Sequence, residues 1–373
     1  MKHALAVVGT RPDAIKMAPV VLELQKHADL RTTVVASGQH REMLDQVFSA
    51  FGISAERNFD VMKAEQSLAY LTASILEGMQ EAITHLDPDI VIAQGDTTTT
   101  FVAGLSAFYA RKPFAHVEAG LRTPNISSPF PEEFNRRAVA VLATLHFPPT
   151  SLSAENLYRE GVTIENVFVT GNTSIDAIQL LAKHRNTDSN SKMILVTTHR
   201  RENWGEPQRD ICHAVGRILE ANPEYRVVLP MHRNPVVREV LQDELGAHPR
   251  VSLIEPPEYP AFVELMAQSH LILTDSGGVQ EEAPALGKPV LVLRTETERP
   301  EGIAAGNAKL VGTDPAKIFE AAQALLSDDE AYASVAQARN PYGDGLASRR
   351  IVSRVRAFLG LQGEEIESFE SGP

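Results

Sequence analysis

Three acidic segments stand where proton chemistry would be done, at one edge of a parallel sheet. Asp96 follows an apolar run in Gln94-Gly95-Asp96-Thr97-Thr98-Thr99-Thr100, and Glu118 follows another in His116-Val117-Glu118-Ala119-Gly120-Leu121-Arg122. Glu132 and Glu133 open a helical segment in Pro131-Glu132-Glu133-Phe134-Asn135-Arg136. Clustered carboxylates repel, so one is driven towards its protonated form while another stays ionised. That pairing is what moving a proton at a weakly acidic carbon requires. The bland alternative is three unrelated helix caps, since carboxylates satisfy free N–H groups and suit a first helical turn. All three segments lie beyond strand ends, where open α/β sheets bind ligands, and this favours the chemical reading.

Positive charge and glycine turns occupy other strand ends. Gly9-Thr10-Arg11-Pro12-Asp13-Ala14-Ile15-Lys16 is a glycine turn and then a helix start. A cation such as Arg11 at the positive end of a helix dipole makes sense where an anion binds. His199-Arg200-Arg201-Glu202-Asn203-Trp204 offers a histidine and two arginines, although Arg200 or Arg201 equally pairs with Glu202. Thr274-Asp275-Ser276-Gly277-Gly278-Val279-Gln280-Glu281-Glu282-Ala283-Pro284 is the most informative stretch. It runs strand, serine, two glycines, helix, the arrangement that aims backbone N–H groups at a diphosphate. Glu282, about one turn further on, suits ribose hydroxyls, and Arg299 adds a positive partner. Neither a P-loop sequence nor Gly-x-Gly-x-x-Gly after the first strand is present, so a nucleotide-sugar diphosphate fits better than a dinucleotide. His213, inside a helical segment after Ile211 and Cys212, reads on spacing alone as a packed residue.

These groups need strands to carry them. Short Val/Ile/Leu-rich runs alternate with amphipathic segments, the pattern of buried parallel strands joined by crossover helices. Strands are expected near 3–8, 32–36, 89–93, 113–117, 145–147 and 167–169, and again near 193–198, 226–229, 251–254, 270–274, 289–293 and 308–311. The polar stretch 184–192 reads as a linker between two doubly wound, Rossmann-like domains with a ligand cleft between them. The expected division is 1–183 and 192–345, with a basic helix at 346–360 returning to the first domain and 361–373 frayed.

The 373 residues are 43% hydrophobic and 22% charged, which sets aside disorder and coiled coil. A net charge of −13 disfavours nucleic acid and anionic membrane as partners. Cys212 is the single cysteine, so no intrachain disulfide and no cysteine-based zinc site is expected. The apolar start reaches Arg11 and Asp13 too soon for a signal peptide, so a cytoplasmic protein is expected.

Taken together, these motifs resemble the non-hydrolysing UDP-N-acetylglucosamine 2-epimerases over nearly the whole chain. The match rests on Gly9-Thr10-Arg11-Pro12 with Lys16, the Gln94, His116 and Pro131 segments, His199-Arg200-Arg201-Glu202-Asn203, Asp275-Ser276-Gly277-Gly278 with Gln280-Glu281-Glu282, and Thr297-Glu298-Arg299-Pro300-Glu301. The resemblance implies a GT-B glycosyltransferase-type architecture, a homodimer, no redox cofactor and no metal. It implies interconversion of UDP-N-acetylglucosamine and UDP-N-acetylmannosamine in cell-surface polysaccharide synthesis, through elimination of UDP to 2-acetamidoglucal and re-addition. Asp96, Glu118 and Glu132 are then the acid–base candidates, supported by Arg136, and His213 becomes a candidate for the leaving phosphate. Arg11, Lys16, Ser276, Gly277, Gly278, Glu282 and Arg299 would hold UDP, with Phe262 against uracil.

The resemblance also implies an effector site for a second substrate molecule at Gln39, Glu42, Glu65, Glu133, Arg200 and His232. Glutamine is usual at position 42 and arginine at 65, so two carboxylates here would repel a diphosphate and weaken activation. Thr295 also departs, where aspartate is common. Rival readings are an epimerase of a UDP-linked diacetamido uronic acid, a GT-B glycosyltransferase and a non-catalytic UDP-sugar sensor. The sensor would have no use for all three acids.

Overall fold

The computed structural model describes residues 1–38, 41–63, 66–182, 191–297 and 299–370, the side chains of 41–43 excepted. The chain forms two α/β units, Met1–Ala177 with the segment beginning at Gly343, and Ile178–Tyr342.

The first unit runs β1 (Lys2–Val8), α1 (Arg11–Gln25), β2 (Leu30–Ala36), α2 (Arg41–Phe51), β3 (Arg57–Asn58), α3 (Leu68–Leu86), β4 (Ile90–Gln94), α4 (Thr98–Tyr109), β5 (Phe114–Val117), α5 (Glu132–Leu142), β6 (Leu145–Phe147), α6 (Ser151–Arg159) and α7 (Thr173–Ala182). Its parallel strands lie in the order β3-β2-β1-β4-β5-β6. The chain therefore reverses direction across the sheet between β1 and β4, and the loops after those strands flank a topological switch point. The β4 run Ile90-Val91-Ile92-Ala93-Gln94 is buried throughout, as a strand covered by helices on both faces must be.

The second unit repeats the plan with β7 (Met193–Thr197), α8 (Glu206–Ala221), β8 (Arg226–Pro230), α9 (Pro235–Leu245), β9 (Val251–Ile254), α10 (Tyr259–Gln268), β10 (Leu271–Thr274), α11 (Gly277–Glu282), β11 (Val290–Val292), α12 (Pro300–Ala304), β12 (Ala308–Leu310), α13 (Pro315–Ser327) and α14 (Asp329–Ala336). Its order, β12-β11-β10-β7-β8-β9, puts the switch point between β7 and β10. α15 (Ala347–Phe358) packs on α1 in the first unit, where Arg356 pairs with Asp29 at 2.5 Å. The fold is thus two Rossmann-like sheets, each with its own buried core.

Three local expectations differ from the structure. Residues 167–169 make a single bridge, His146 to Val167, because the 3₁₀ turn Ile164–Asn166 runs directly into them. The two-residue strand β3 is too short to leave a hydrophobic pattern. The tail expected to fray is held along α15: Arg349 pairs with Glu364 at 2.6 Å, Arg350 donates to Glu367 O at 2.6 Å, and Phe369 is 3% exposed. Its glutamates looked unburiable in sequence, but their backbone carbonyls and one carboxylate supply partners for the α15 arginines. Most of the expected linker, residues 184–190, lies outside the described residues.

Candidate active site

In the first unit, Asp96 follows β4 but does not cap α4. Thr97 does, accepting from Thr100 N, which leaves the Asp96 carboxylate available for other partners. It takes the guanidinium of Arg136 from α5, while Asn135 Nδ2 donates to the Asp96 carbonyl at 2.9 Å. Burial raises the Asp96 pKa; Glu118 pushes the same way, and Arg136 and Lys16 oppose. Glu118 ends β5 with φ of 60°, a left-handed conformation that is uncommon for a residue with a Cβ and clusters at functional sites. Lys16, one turn into α1, reaches both of its oxygens at 2.8 and 2.6 Å. Lys16, a candidate for the diphosphate, is here also the counter-ion of Glu118. Asp96, Glu118, Lys16 and Arg136 thus form one electrostatically coupled group.

The glutamate pair at the start of α5 divides. Glu133 is fully buried, accepting from Thr123 N at 3.0 Å, Arg137 at 2.7 Å and Arg136 at 3.3 Å. It ties Thr123 to Arg136 and Arg137 across the 123–137 segment. Glu132 is half-buried and, among the described residues, its carboxylate has no hydrogen-bond or ion-pair partner.

Asp13 adds a feature that sequence reasoning missed. It closes a capping box with Thr10 at the start of α1 and accepts from Thr97 Oγ1 at 3.1 Å, joining the N-termini of α1 and α4. Burial raises its pKa to about 6 against the hydrogen bonds from Thr10 and Thr97, and Asp96 adds to the rise. Gly9 makes the approach possible, since a Cβ there would lie 2.3 Å from Thr99 Oγ1. Arg11, in the first turn of α1, is half-buried.

The second unit inverts this pattern, with one buried acid organising donors. Asp275, at the end of β10, accepts from His199 N, Arg200 N at 3.0 Å and Asn203 Nδ2 at 3.0 Å, and from His199 Nδ1 at 2.8 Å. Burial opposes its ionisation, but His199 and the two backbone N–H groups prevail and its pKa is lowered. The carboxylate fixes the His199 ring through Nδ1, leaving Nε2 as the outward nitrogen. Ser276, Gly277 and Gly278 begin α11 immediately after Asp275. Arg299 lies over Gly277, whose Cβ would be 3.2 Å from the guanidinium carbon, and Glu281 steadies it at 2.8 Å. Glu282 ends α11, and Phe262 is half-buried on α10.

His213 is carried by α8 rather than by a strand end. It lies two turns into α8 on the solvent face, its side chain 59% exposed and its Nε2 3.3 Å from Glu244. The histidine that follows a strand at the edge holding Ser276 and the glycines is His199. The signal was present in sequence, as His199 and Asp275 each follow a strand, but pairing them required the β7–β10 register. Of the expected effector positions, Arg200 is half-buried beside Asp275, and the exposed His232 lies 6.5 Å ring to ring from His199. Gln39, Glu65 and the side chain of Glu42 lie outside the described residues.

Comparison with known proteins decides the family. Residues 22–356 match the family described as UDP-N-acetylglucosamine 2-epimerase. A Bacillus subtilis protein named UDP-N-acetylglucosamine 2-epimerase is 50% identical over 371 residues, covering 98% of each chain. The chain belongs to the UDP-N-acetylglucosamine 2-epimerase family. Two solved members place its fold. A Neisseria meningitidis enzyme bound to UDP-GlcNAc is 48% identical with a TM-score of 0.83, covering 95% of this chain and all of the other. An S. aureus structure with UDP is 46% identical with a TM-score of 0.83, covering 99% of this chain and 100% of that one. The family is one of isomerases, and its nucleotide-sugar fold is the two Rossmann-like units seen here. Among the described residues no helix is long and apolar enough to cross a membrane, and no group of His, Cys, Asp and Glu is placed to hold a metal ion.

Proposed function

We propose that the protein is a non-hydrolysing UDP-N-acetylglucosamine 2-epimerase that inverts C2 by eliminating UDP and adding it back. The observation that carries this reading is the coupled set of Asp96, Glu118, Lys16 and Arg136 at the first switch point. The C2 proton has no adjacent carbonyl, so direct abstraction is difficult. Elimination breaks the C2–H and C1–O bonds together, giving 2-acetamidoglucal and UDP. Re-addition puts a proton on the other face of C2 and re-forms the C1–O bond, which is redox-neutral and needs groups able to give and take a proton on both faces. Asp96, held towards its protonated form by burial, is the donor in this account. Glu118, paired with Lys16, is the base, and Glu132 serves the opposite face.

The leaving diphosphate needs positive charge that does not reorganise. His199, held by Asp275, and Arg299, held by Glu281, supply it with the Ser276–Gly278 backbone and Arg11. His213, which the family resemblance suggests for the leaving phosphate, is a second candidate beside His199. Glu282 and Phe262 suit the ribose and the uracil. The relatives solved with UDP-GlcNAc and with UDP support this choice of ligand. The protein is read as a cytoplasmic homodimer, and the exposed Phe108, Tyr109 and Val141 of α4 and α5 offer an apolar face for a second copy.

The test is incubation with UDP-N-acetylglucosamine carrying oxygen-18 in the C1–O bridge. Formation of UDP-N-acetylmannosamine with label scrambled into non-bridging β-phosphate positions is expected. Epimerisation without scrambling would rule out C1–O cleavage, and absence of epimerisation would reject the activity.

A further inference from the structure

We propose that His116 is a positioning residue that fixes the spacing of the two proton-handling carboxylates, clamping the loop of Asp96 from the strand that carries Glu118. The proposal rests on the reading of Asp96 and Glu118 as an acid–base pair. His116 lies in β5, two residues before Glu118, and its Nε2 is 2.7 Å from the carbonyl oxygen of Gly95, the residue before Asp96. A carbonyl only accepts, so Nε2 carries the hydrogen. The same strand holds the other side of Gly95, whose N–H donates to Val117 O at 2.9 Å.

Among the described residues, these two hydrogen bonds are the ones that hold the Gly95 backbone. Gly95 has φ of 78°, and a Cβ built on it would point into open space. Beyond it, Asn135 holds the Asp96 carbonyl and Arg136 its carboxylate. His116 is thus the side chain that ties the Asp96 loop to the Glu118 strand. A loose acid–base pair loses rate steeply, because proton transfer needs both groups at fixed distances from one carbon.

The remaining ring nitrogen supports a dedicated role. His116 is 1% exposed, and its Nδ1 is buried with no partner among the described residues. A histidine kept only for packing would give way to an apolar side chain that leaves no bare nitrogen. Burial, against the pull of the Gly95 bond, lowers its pKa to about 3, with His146, Arg122 and Arg136 adding to the drop. The clamp is therefore neutral and adds no charge beside Asp96, as a lysine or arginine donor would.

The test compares wild type, His116→Met and His116→Gln in the full-length protein. Methionine keeps the volume and removes the donor; glutamine restores an N–H at similar reach. For His116→Met we expect kcat for C2 epimerisation to fall at least about tenfold, while KM and UDP affinity, read from the fluorescence of the single tryptophan Trp204, stay within about threefold. His116→Gln should recover most of the loss. A kcat for His116→Met within about threefold of wild type overturns the proposal, as does a matching loss of UDP affinity or a glutamine variant no better than methionine. Should the methionine variant not fold, nitrogen-15 NMR of wild-type histidines decides: a neutral ring with hydrogen on Nε2 at pH 7 supports the clamp, and hydrogen on Nδ1 or an imidazolium overturns it. A wild type that binds UDP without epimerising would sink the functional reading, whereas an active wild type indifferent to His116→Met would sink this one alone.

Discussion

The two units share one fold plan and arrange charge at their switch points in opposite senses. In the first, carboxylates are the presented groups and cations hold them: Arg136 on Asp96 and Lys16 on Glu118. In the second, the carboxylates are the holders: Asp275 gathers His199 and Arg200, and Glu281 steadies Arg299. One sheet edge is therefore suited to exchanging protons and the other to receiving an anion. Identical topology fixes where a site lies, and which charged residues follow the strands fixes what it does.

Breaking the presented groups should have the largest effect. Asp96→Asn and Glu118→Gln are expected to lower kcat about 10²–10⁴-fold while UDP still binds, as steady-state kinetics beside a UDP titration would reveal. Comparable losses of UDP affinity in these variants would erase the division between the units. Next comes the holder in the second unit. Asp275→Asn leaves His199 without its carboxylate, and an effect of about 2 kcal/mol, roughly thirtyfold in UDP affinity, is expected by calorimetry. His213→Ala is expected to lower kcat more than UDP affinity, and a variant within about twofold of wild type in both would leave the phosphate to His199.

Smaller effects come from buried acids that support the first unit. Asp13 and Asp176 both titrate near pH 6 rather than 3.8, each mainly through burial; Asp176 accepts from Ala347 N and from Ser348 at the start of α15. A raised carboxylate pKa means the folded state holds its proton more tightly than the unfolded chain. Stability should therefore fall as pH rises from about 4 to about 6 and level off above. Asp13→Asn and Asp176→Asn should each flatten that slope in urea titrations, by about 1–3 kcal/mol between the two pH values. A slope unchanged in both variants would place the titrating groups elsewhere. Least of all, Cys212, its thiol pushed up to about 12 by burial, should resist a thiol reagent until the protein unfolds.

Much of this arrangement was legible in the residues because strands buried on both faces write themselves as continuous apolar runs. The β4 and β5 runs located Asp96 and Glu118 to the residue, and Gly277-Gly278 announced its own turn. What stayed hidden depends on which strands become neighbours. His199 and Asp275 are 76 residues apart and meet only because β7 pairs with β10. Nor does sequence show that Lys16 and Glu118, 102 residues apart, meet as an ion pair. The tail misled for a related reason: its polar composition hides the backbone partners that α15 arginines find in it.

The most direct test of the central claim is proton NMR of UDP-N-acetylglucosamine with the purified protein in deuterated water. The account predicts UDP-N-acetylmannosamine carrying deuterium at C2, and loss of that exchange in Glu118→Gln with UDP binding retained. An unexchanged C2 proton in a sample that binds UDP normally would contradict it.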